Sequence, residues 1–234
     1  FKEEKFRTIV NPFGVMYNPV SILHTVRKLS NQAFDIVVFT LGTNHVYIEK
    51  ATGEIVDNCQ KRPQKLFNEQ ELTIDESANA LREAIHLLRK QNPNVKVIVT
   101  VSPIRYAKYG FHGSQLSKAT LLLAADKLVR EEGEAVYYFP AYEIVNDELR
   151  DYRFYKADML HPNDQAVEYI WERLVETCFS SEAKKFLEAW RPIKEALGHR
   201  PFNPDSEAYR LFMQKTKEKI QWLKQLYPDL ELDE

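Results

Sequence analysis

Two kinds of hydrophobic pattern alternate along the chain. Residues 35–41 (Asp-Ile-Val-Val-Phe-Thr-Leu) form a nearly continuous apolar run stopped by Gly42. Residues 95–101 (Val-Lys-Val-Ile-Val-Thr-Val) are stopped by Ser102 and Pro103, and residues 135–139 (Ala-Val-Tyr-Tyr-Phe) by Pro140. β-Branched runs bounded by turn residues predict buried strands of a parallel sheet, covered on both faces. Residues 6–10 (Phe-Arg-Thr-Ile-Val) read as a shorter fourth strand. Helical periods lie between these runs. Asn18-Pro19 supplies an N-cap and a first-turn proline ahead of Ile22, Val26 and Leu29. Thr73 and Glu76 have capping-box spacing, and Ile74, Ala78, Leu81, Ile85 and Leu88 follow at helical period. The stretch from Ser117 to Val129 and residues 163–178 repeat the pattern. Strands alternating with helices predict an α/β domain, a parallel sheet wrapped by helices, over residues 1–179.

Beyond residue 180 no strand pattern follows. Two helices, 181–197 and 205–226, are expected on either side of Gly198 and the Pro201/Pro204 loop, with Asn203-Pro204 as the start of the second. Residues 180–234 therefore read as a helical C-terminal appendage. There are no repeats and no low-complexity linker.

Composition narrows the function classes. The 234 residues are 44% hydrophobic and 28% charged, an ordinary globular balance. A net charge of −2 gives no reason to expect nucleic acid or an anionic membrane as partner. No apolar run reaches the length of a membrane span. Cys59 and Cys178 are the two cysteines, too few for a disulfide framework, and neither lies in a CxxC pair. No dinucleotide or P-loop glycine motif occurs, so no cofactor is implied. No export signal is visible, which favours the cytoplasm. The chain starts at Phe1 in the middle of a polar pattern, and we read it as part of a longer product.

Open parallel sheets bind ligands beyond the carboxyl ends of their strands. Four polar or turn-forming segments belong there: Asn11-Pro12-Phe13-Gly14, Gly42-Thr43-Asn44-His45, Ser102-Pro103-Ile104-Arg105 and Asp158-Met159-Leu160-His161-Pro162. The three-residue spacing of Asp158 and His161, in a loop entering a helix, lets the carboxylate fold back onto the imidazole Nδ1–H. The other ring nitrogen is then free to act as a general base. The plainer reading is a helix-capping Asp beside a surface His. Asn44 offers an amide and Gly14 a backbone N–H to a developing oxyanion, or each simply closes a turn. Arg105 and His45 are candidates for substrate contact, Arg105 through a carboxylate or phosphate, with a salt bridge to Asp151 or Glu143 as the alternative. Ser102, Ser21 and Ser117 are poor nucleophile candidates: Pro103 follows the first, and the other two fall in helices. His24 and His86 also fall in helices. The Tyr109-Gly110-Phe111-His112-Gly113 stretch reads as a mobile rim.

The order of these blocks, with the wording around them, carries a resemblance. Asn11-Pro12-Phe13-Gly14-Val15-Met16-Tyr17-Asn18-Pro19, Leu41-Gly42-Thr43, Asn58-Cys59, Thr100-Val101-Ser102-Pro103-Ile104-Arg105, Ser117-Lys118-Ala119, Tyr138-Phe139-Pro140-Ala141-Tyr142-Glu143-Ile144 and the 147–155 run are similar to the GSCFA-domain family of bacterial proteins, within the SGNH hydrolase group. The resemblance runs from residue 1 to about residue 178. It implies a flavodoxin-like sheet and a serine-dependent esterase-type site, with His161 as base, Asp158 as its orienter, and Gly14 and Asn44 at the oxyanion hole. The family's Gly-Ser-Cys-Phe-Ala segment, whose serine would be the nucleophile, is absent. The family pattern puts it, with a central strand, just upstream of Phe1. The expected function is an SGNH-type esterase or acyltransferase acting on an O-acyl ester, on carbohydrate by superfamily analogy. The rivals are a non-catalytic ligand- or carbohydrate-binding domain on the same fold, and a metal-dependent hydrolase using His161, Asp158 and His112.

Overall fold

The computed structural model describes residues 18–29, 31–57, 59, 62–228 and 230. The strand expected at 6–10 and the Gly14 loop lie outside them. The described chain divides into two compact units, 18–170 and 171–230. The first is an α/β fold with a parallel sheet and packed helices; the second is helical.

Three strands form the parallel sheet: Ile36–Leu41 (β1), Lys96–Val101 (β5) and Val136–Phe139 (β6), in the order β1-β5-β6. They coincide with the three apolar runs of the sequence. Between β1 and β5 the chain builds a second, antiparallel sheet from His45–Glu49 (β2), Ile55–Val56 (β3) and Phe67–Glu71 (β4), ordered β3-β2-β4. Hydrophobic pattern gives little sign of it, because β4 reads Phe-Asn-Glu-Gln-Glu and only its first residue is buried. The β2–β3 hairpin closes at Gly53, whose φ of +73° is one that side chains rarely adopt.

The helices begin where capping chemistry allows. Helix α1, Pro19–Lys28, is capped by Asn18, and α2, Ile74–Gln91, by Thr73; both have reciprocal capping boxes. Helix α3 spans Gly110–Glu132, and a short turn, Ala141–Glu143 (α4), continues into a π-helical stretch at Ile144–Leu149. Asp164–Cys178 is α5. One face of the sheet, carrying Val37, Phe39 and Leu41 of β1 with Val97, Val99 and Val101 of β5, packs against α1, α2 and α3 in one core. Full burial of side chains such as Leu81, Ile85 and Val99 contributes about 1.5–3 kcal/mol each. The other face is more open: Ile36 and Val38 are 63% and 51% exposed, and Tyr137 in the row Val38–Ile98–Tyr137 is 45% exposed.

Two expectations change. From Gly110 onward the Tyr109–Gly113 stretch is helix rather than loop: α3 starts there, seven residues before the expected Ser117. Gly113 lies in that first turn, where an added Cβ would sit 3.1 Å from the Tyr109 Cβ. In the second unit, Ser181–Gly198 (α6) and Glu207–Leu226 (α7) pack on each other, and Ile193, Ala196 and Leu223 are buried. Ser206 rather than Asn203 caps α7, its hydroxyl accepting from the Tyr209 N–H. Among the described residues no helix is long and apolar enough to cross a membrane.

Candidate active site

The segment leading into α5 folds around one carboxylate. Asp158 Oδ1 accepts from the backbone N–H groups of Leu160 (2.9 Å) and His161 (3.0 Å). Its Oδ2 lies 2.6 Å from His161 Nδ1, the contact that the three-residue spacing predicts. A carboxylate only accepts, so Nδ1 carries the proton and Nε2 is the basic nitrogen. The two backbone amides, then the imidazole, hold the Asp158 carboxyl down at about 2. It is an anion at any neutral pH. Both side chains are partly open to solvent, His161 at 53% and Asp158 at 44%. Met159, between them, has φ +60°, unusual for a residue with a side chain. Asn163 then accepts from the Ala166 N–H in the first turn of α5 and donates to Arg153 O at 2.6 Å, fixing the exit of the turn.

Arg105 ties this turn to the sheet. It follows β5, whose carboxyl end lies beside that of β1 in the parallel pairing. Its backbone N–H donates to Leu160 O at 3.0 Å, and its guanidinium Nη1 to Met159 O at 3.1 Å. The guanidinium lies over Phe111 at 4.3 Å and near Tyr152 and Tyr155 at 5.4 and 5.6 Å. The alternative of a salt bridge to Asp151 or Glu143 is not adopted: Asp151 caps the turn at Arg153, and Glu143 accepts from the Tyr138 hydroxyl. The Asp158–His161 turn is thus pinned at the carboxyl edge of the parallel sheet, by contacts to backbone that no side-chain pattern records.

At the same edge, β1 runs into Gly42-Thr43-Asn44. Asn44 is 2% exposed. Its backbone N–H donates to Ser117 Oγ (3.1 Å) and its side-chain Nδ2 to Leu72 O (2.9 Å). One amide hydrogen of Nδ2 is thereby engaged with β4's exit, and Oδ1 has no hydrogen-bond partner among the described residues. His45 starts β2. Its ring stacks on Tyr109 with centroids 3.5 Å apart, and its side chain is 8% exposed. Nδ1 stands 3.3 Å from Glu69 Oε1, an ion-pair distance without hydrogen-bond geometry. Burial lowers the His45 pKa against the opposing pull of Glu71 and Glu69. Glu69 is itself bonded to Lys108 and Tyr47. No hydrogen bond or ion pair among the described residues joins Asn44 or His45 to the Asp158–His161 pair. Gly14 lies outside the described residues.

Other residues settle into structural company. His24 Nδ1 meets Asp57 Oδ1 at 2.8 Å, and His86 Nε2 lies 3.4 Å from Glu132. Ser102 Oγ accepts from the Ile104 N–H at 3.3 Å. His112 is in the first turn of α3, and among the described residues no three His, Cys, Asp or Glu side chains are grouped to hold a metal ion. Cys59 is half-buried, with its thiol pKa raised by burial.

Lys118, to which the sequence pattern gives no role, sits on the core face of α3, one turn before Leu121, and is 2% exposed. Its ammonium donates to Gly42 O at 2.5 Å and lies 5.3 Å from the centroid of the Tyr106 ring. Burial alone pulls its pKa down to about 7. The signal in the sequence was a lysine at helical spacing from the apolar Leu121, Ala125 and Leu128, on the face that also carries Ser114 and Ser117. Its side chain also lines a small cleft with Arg105, Phe111, Ser114 and Tyr142.

A family model described as the GSCFA family matches residues 28–174, and a second, the C-terminal domain of GSCFA domain proteins, matches residues 190–234. No curated protein matches the chain. Among solved structures, it is similar to a carbohydrate esterase family 3 from Talaromyces cellulolyticus, at 19% identity and TM-score 0.43, over 68% of this chain and 64% of that one. It is also similar to a serine-to-alanine mutant of an acetyl esterase with acetate ion, at 20% identity and TM-score 0.42, over 66% of this chain and 62% of that one. The chain thus spans less than two thirds of either structure, and similarity this distant assigns no activity. The first family match alone covers more than half of the sequence, including the Gly42–Asn44 turn, Arg105 and the Asp158–His161 pair: the chain belongs to the GSCFA family.

Proposed function

We propose that this chain carries the base and the oxyanion side of an SGNH-type serine esterase or acyltransferase acting on an O-acyl ester, with carbohydrate O-acyl groups as the substrate class. The observation that carries the reading is the 2.6 Å contact from His161 Nδ1 to an Asp158 carboxylate that two backbone amides keep ionised. An imidazole so held has one tautomer and one orientation, which is what a general base requires. The nucleophile is the serine of a Gly-Ser-Cys-Phe-Ala segment upstream of Phe1. Its Oγ forms a bond to the acyl carbon while His161 Nε2 takes the hydroxyl proton. The tetrahedral oxyanion is received at the Gly42–Asn44 turn and by the Gly14 backbone N–H. Collapse breaks the bond to the leaving alcohol, which receives the proton from His161. Water, or a second alcohol, then deacylates the serine by the same steps in reverse. The first case is hydrolysis and the second is transfer.

The test is a fluorophosphonate probe on the protein extended upstream through that segment, with the labelled residue mapped by mass spectrometry. Labelling of one upstream serine, reduced by about 100-fold or more in His161→Ala, is the expected outcome. A folded protein in which that serine takes no probe, with or without His161, sinks the esterase reading and favours the non-catalytic binding domain.

A further inference from the structure

The buried ammonium of Lys118 has no part in the reaction as written, yet its position is costly. Removing a charged amine from water opposes folding, and such groups are ordinarily paired with a carboxylate. Among the described residues no acidic side chain pairs with Lys118, and its ammonium donates to Gly42 O. A methionine there would fill the same space at no electrostatic cost.

The neighbouring contacts show what the lysine holds. Ser117, one residue earlier on α3, accepts from the Asn44 N–H at 3.1 Å, and its Oγ lies 3.2 Å from Thr43 Oγ1. Thr43 Oγ1 accepts in turn from the His45 N–H at 3.1 Å. From the other side, Leu72 N–H donates to Asn44 O, and Asn44 Nδ2 to Leu72 O, both at 2.9 Å. The three residues after β1 are therefore gripped between α3 and the exit of β4, and every contact goes to their backbone or to a short polar side chain. Gly42 O and Asn44 N–H mark the two ends of the turn, and adjacent residues of α3 take one each. A turn fixed this way keeps its dipoles aimed before a substrate arrives, the condition under which oxyanion donors are most effective.

We propose that Lys118 is a positioning residue of the acyl-transfer site: with Ser117 it braces the Gly42-Thr43-Asn44 turn in the geometry that receives the oxyanion. The proposal rests on the acyl-transfer reading above. The brace acts through the turn and makes no bond to substrate, so it belongs to the transition state and leaves ground-state binding alone.

Three variants of the upstream-extended protein test it: Lys118→Met, Lys118→Gln and Ser117→Ala. Two readouts are taken on each. Amide hydrogen exchange at residues 42–45 reports the brace without any need for activity. The second readout is the rate of fluorophosphonate labelling, with kcat and KM on a chromogenic acyl ester. Lys118→Met is expected to speed exchange at 42–45 by about tenfold while α2 amides keep wild-type rates. Labelling and kcat are expected to fall by about 10- to 100-fold, with KM within about twofold. Ser117→Ala, which removes only the acceptor for Asn44 N–H, should act in the same direction. Lys118→Gln, a shorter donor without charge, should restore part of the protection. Unchanged exchange in both Lys118→Met and Ser117→Ala overturns the brace. Faster exchange with unchanged labelling and kcat overturns its catalytic relevance. A wild-type protein that takes no probe and cleaves no ester overturns the acyl-transfer reading beneath it, and the exchange data still decide whether Lys118 holds the turn.

Discussion

Asp158 is the residue whose ionisation the site depends on. Its carboxyl pKa is lowered from 3.8 to about 2, first by the His161 and Leu160 amides and then by the imidazole. A depressed carboxyl supplies stability that is present above the unfolded value and lost as pH falls through the folded one. The Asp158–His161 turn should therefore stay closed through pH 4 and open between about 3.8 and about 2. Carbon-13 detection of the Asp158 carboxyl checks this, and a midpoint at or above 3.8 contradicts it. Lys118 has the opposite bookkeeping. Its folded pKa, about 7, is below the ordinary 10.5, so burial of the charged form opposes folding in full below pH 7. The opposition fades as pH rises from 7 to 10.5, because only the unfolded chain still binds the proton. Relative to Lys118→Met, the wild type should gain stability on the order of a few kcal/mol across that window. Parallel urea titrations at pH 6, 8 and 10 measure the difference; a pH-independent gap would show that the ammonium is solvated.

At the scale of elements, function depends on how loops are tied to the strands they follow. Arg105 leaves β5 and clasps two successive carbonyls of the 158–161 turn, one with its backbone and one with its guanidinium. It also stacks over Phe111. A lysine keeps the charge but not the planar fork or the stack. Arg105→Lys is expected to raise amide exchange at 159–161 and to lower labelling of the proposed serine by about tenfold or more, since misplacement of a base by an ångström costs rate steeply. Wild-type exchange in this variant would mean that the turn is held by Asp158 alone. The helix starts were readable in advance because Asn18 and Thr73 sit one residue before an apolar period and act through bonds three residues away. The start of α3 was not. Tyr109 has no capping side-chain bond, and the glycines at 110 and 113 read as loop, although Gly113 packs closely against Tyr109.

The whole molecule places its apolar surface unequally. Alternate residues of β1 face different surroundings: Phe39 is 4% exposed in the core with α1–α3, whereas Val38 is 51% exposed on the opposite face. In the 234-residue chain, Phe39→Ala should cost about 3–5 kcal/mol. Val38→Thr should stay within about 0.5 kcal/mol. Denaturant midpoints at constant slope test the pair, and a large cost for Val38→Thr would show that this face is covered in solution. The division of the described chain between residues 170 and 171 falls inside α5, a helix whose apolar period runs without a break. No pattern in the sequence marks that point, and we propose residues 180–234 as the helical extension on the grounds of their strand-free pattern and the separate family match.

Local, short-range features are legible in the amino-acid sequence. The three parallel strands follow from β-branched runs, the capped helices from side chains bonding three residues ahead, and the Asp158–His161 contact from a spacing that one turn of backbone closes. The caps and the Asp158–His161 contact are made within a few residues, so their geometry is written in the order of the chain; the strand runs are local as well, although their pairing, as of Ile36 with Lys96, is not. What depends on partners far apart in sequence emerges only on folding. The antiparallel sheet of β2, β3 and β4 is built by pairing short segments, one of them, β4, almost wholly polar, with no periodic signature. Arg105 reaches across 54 residues to a backbone carbonyl, which every residue possesses and no motif announces. Lys118 reaches across 76 residues to another, and its burial is imposed by the packing of α3 on the sheet.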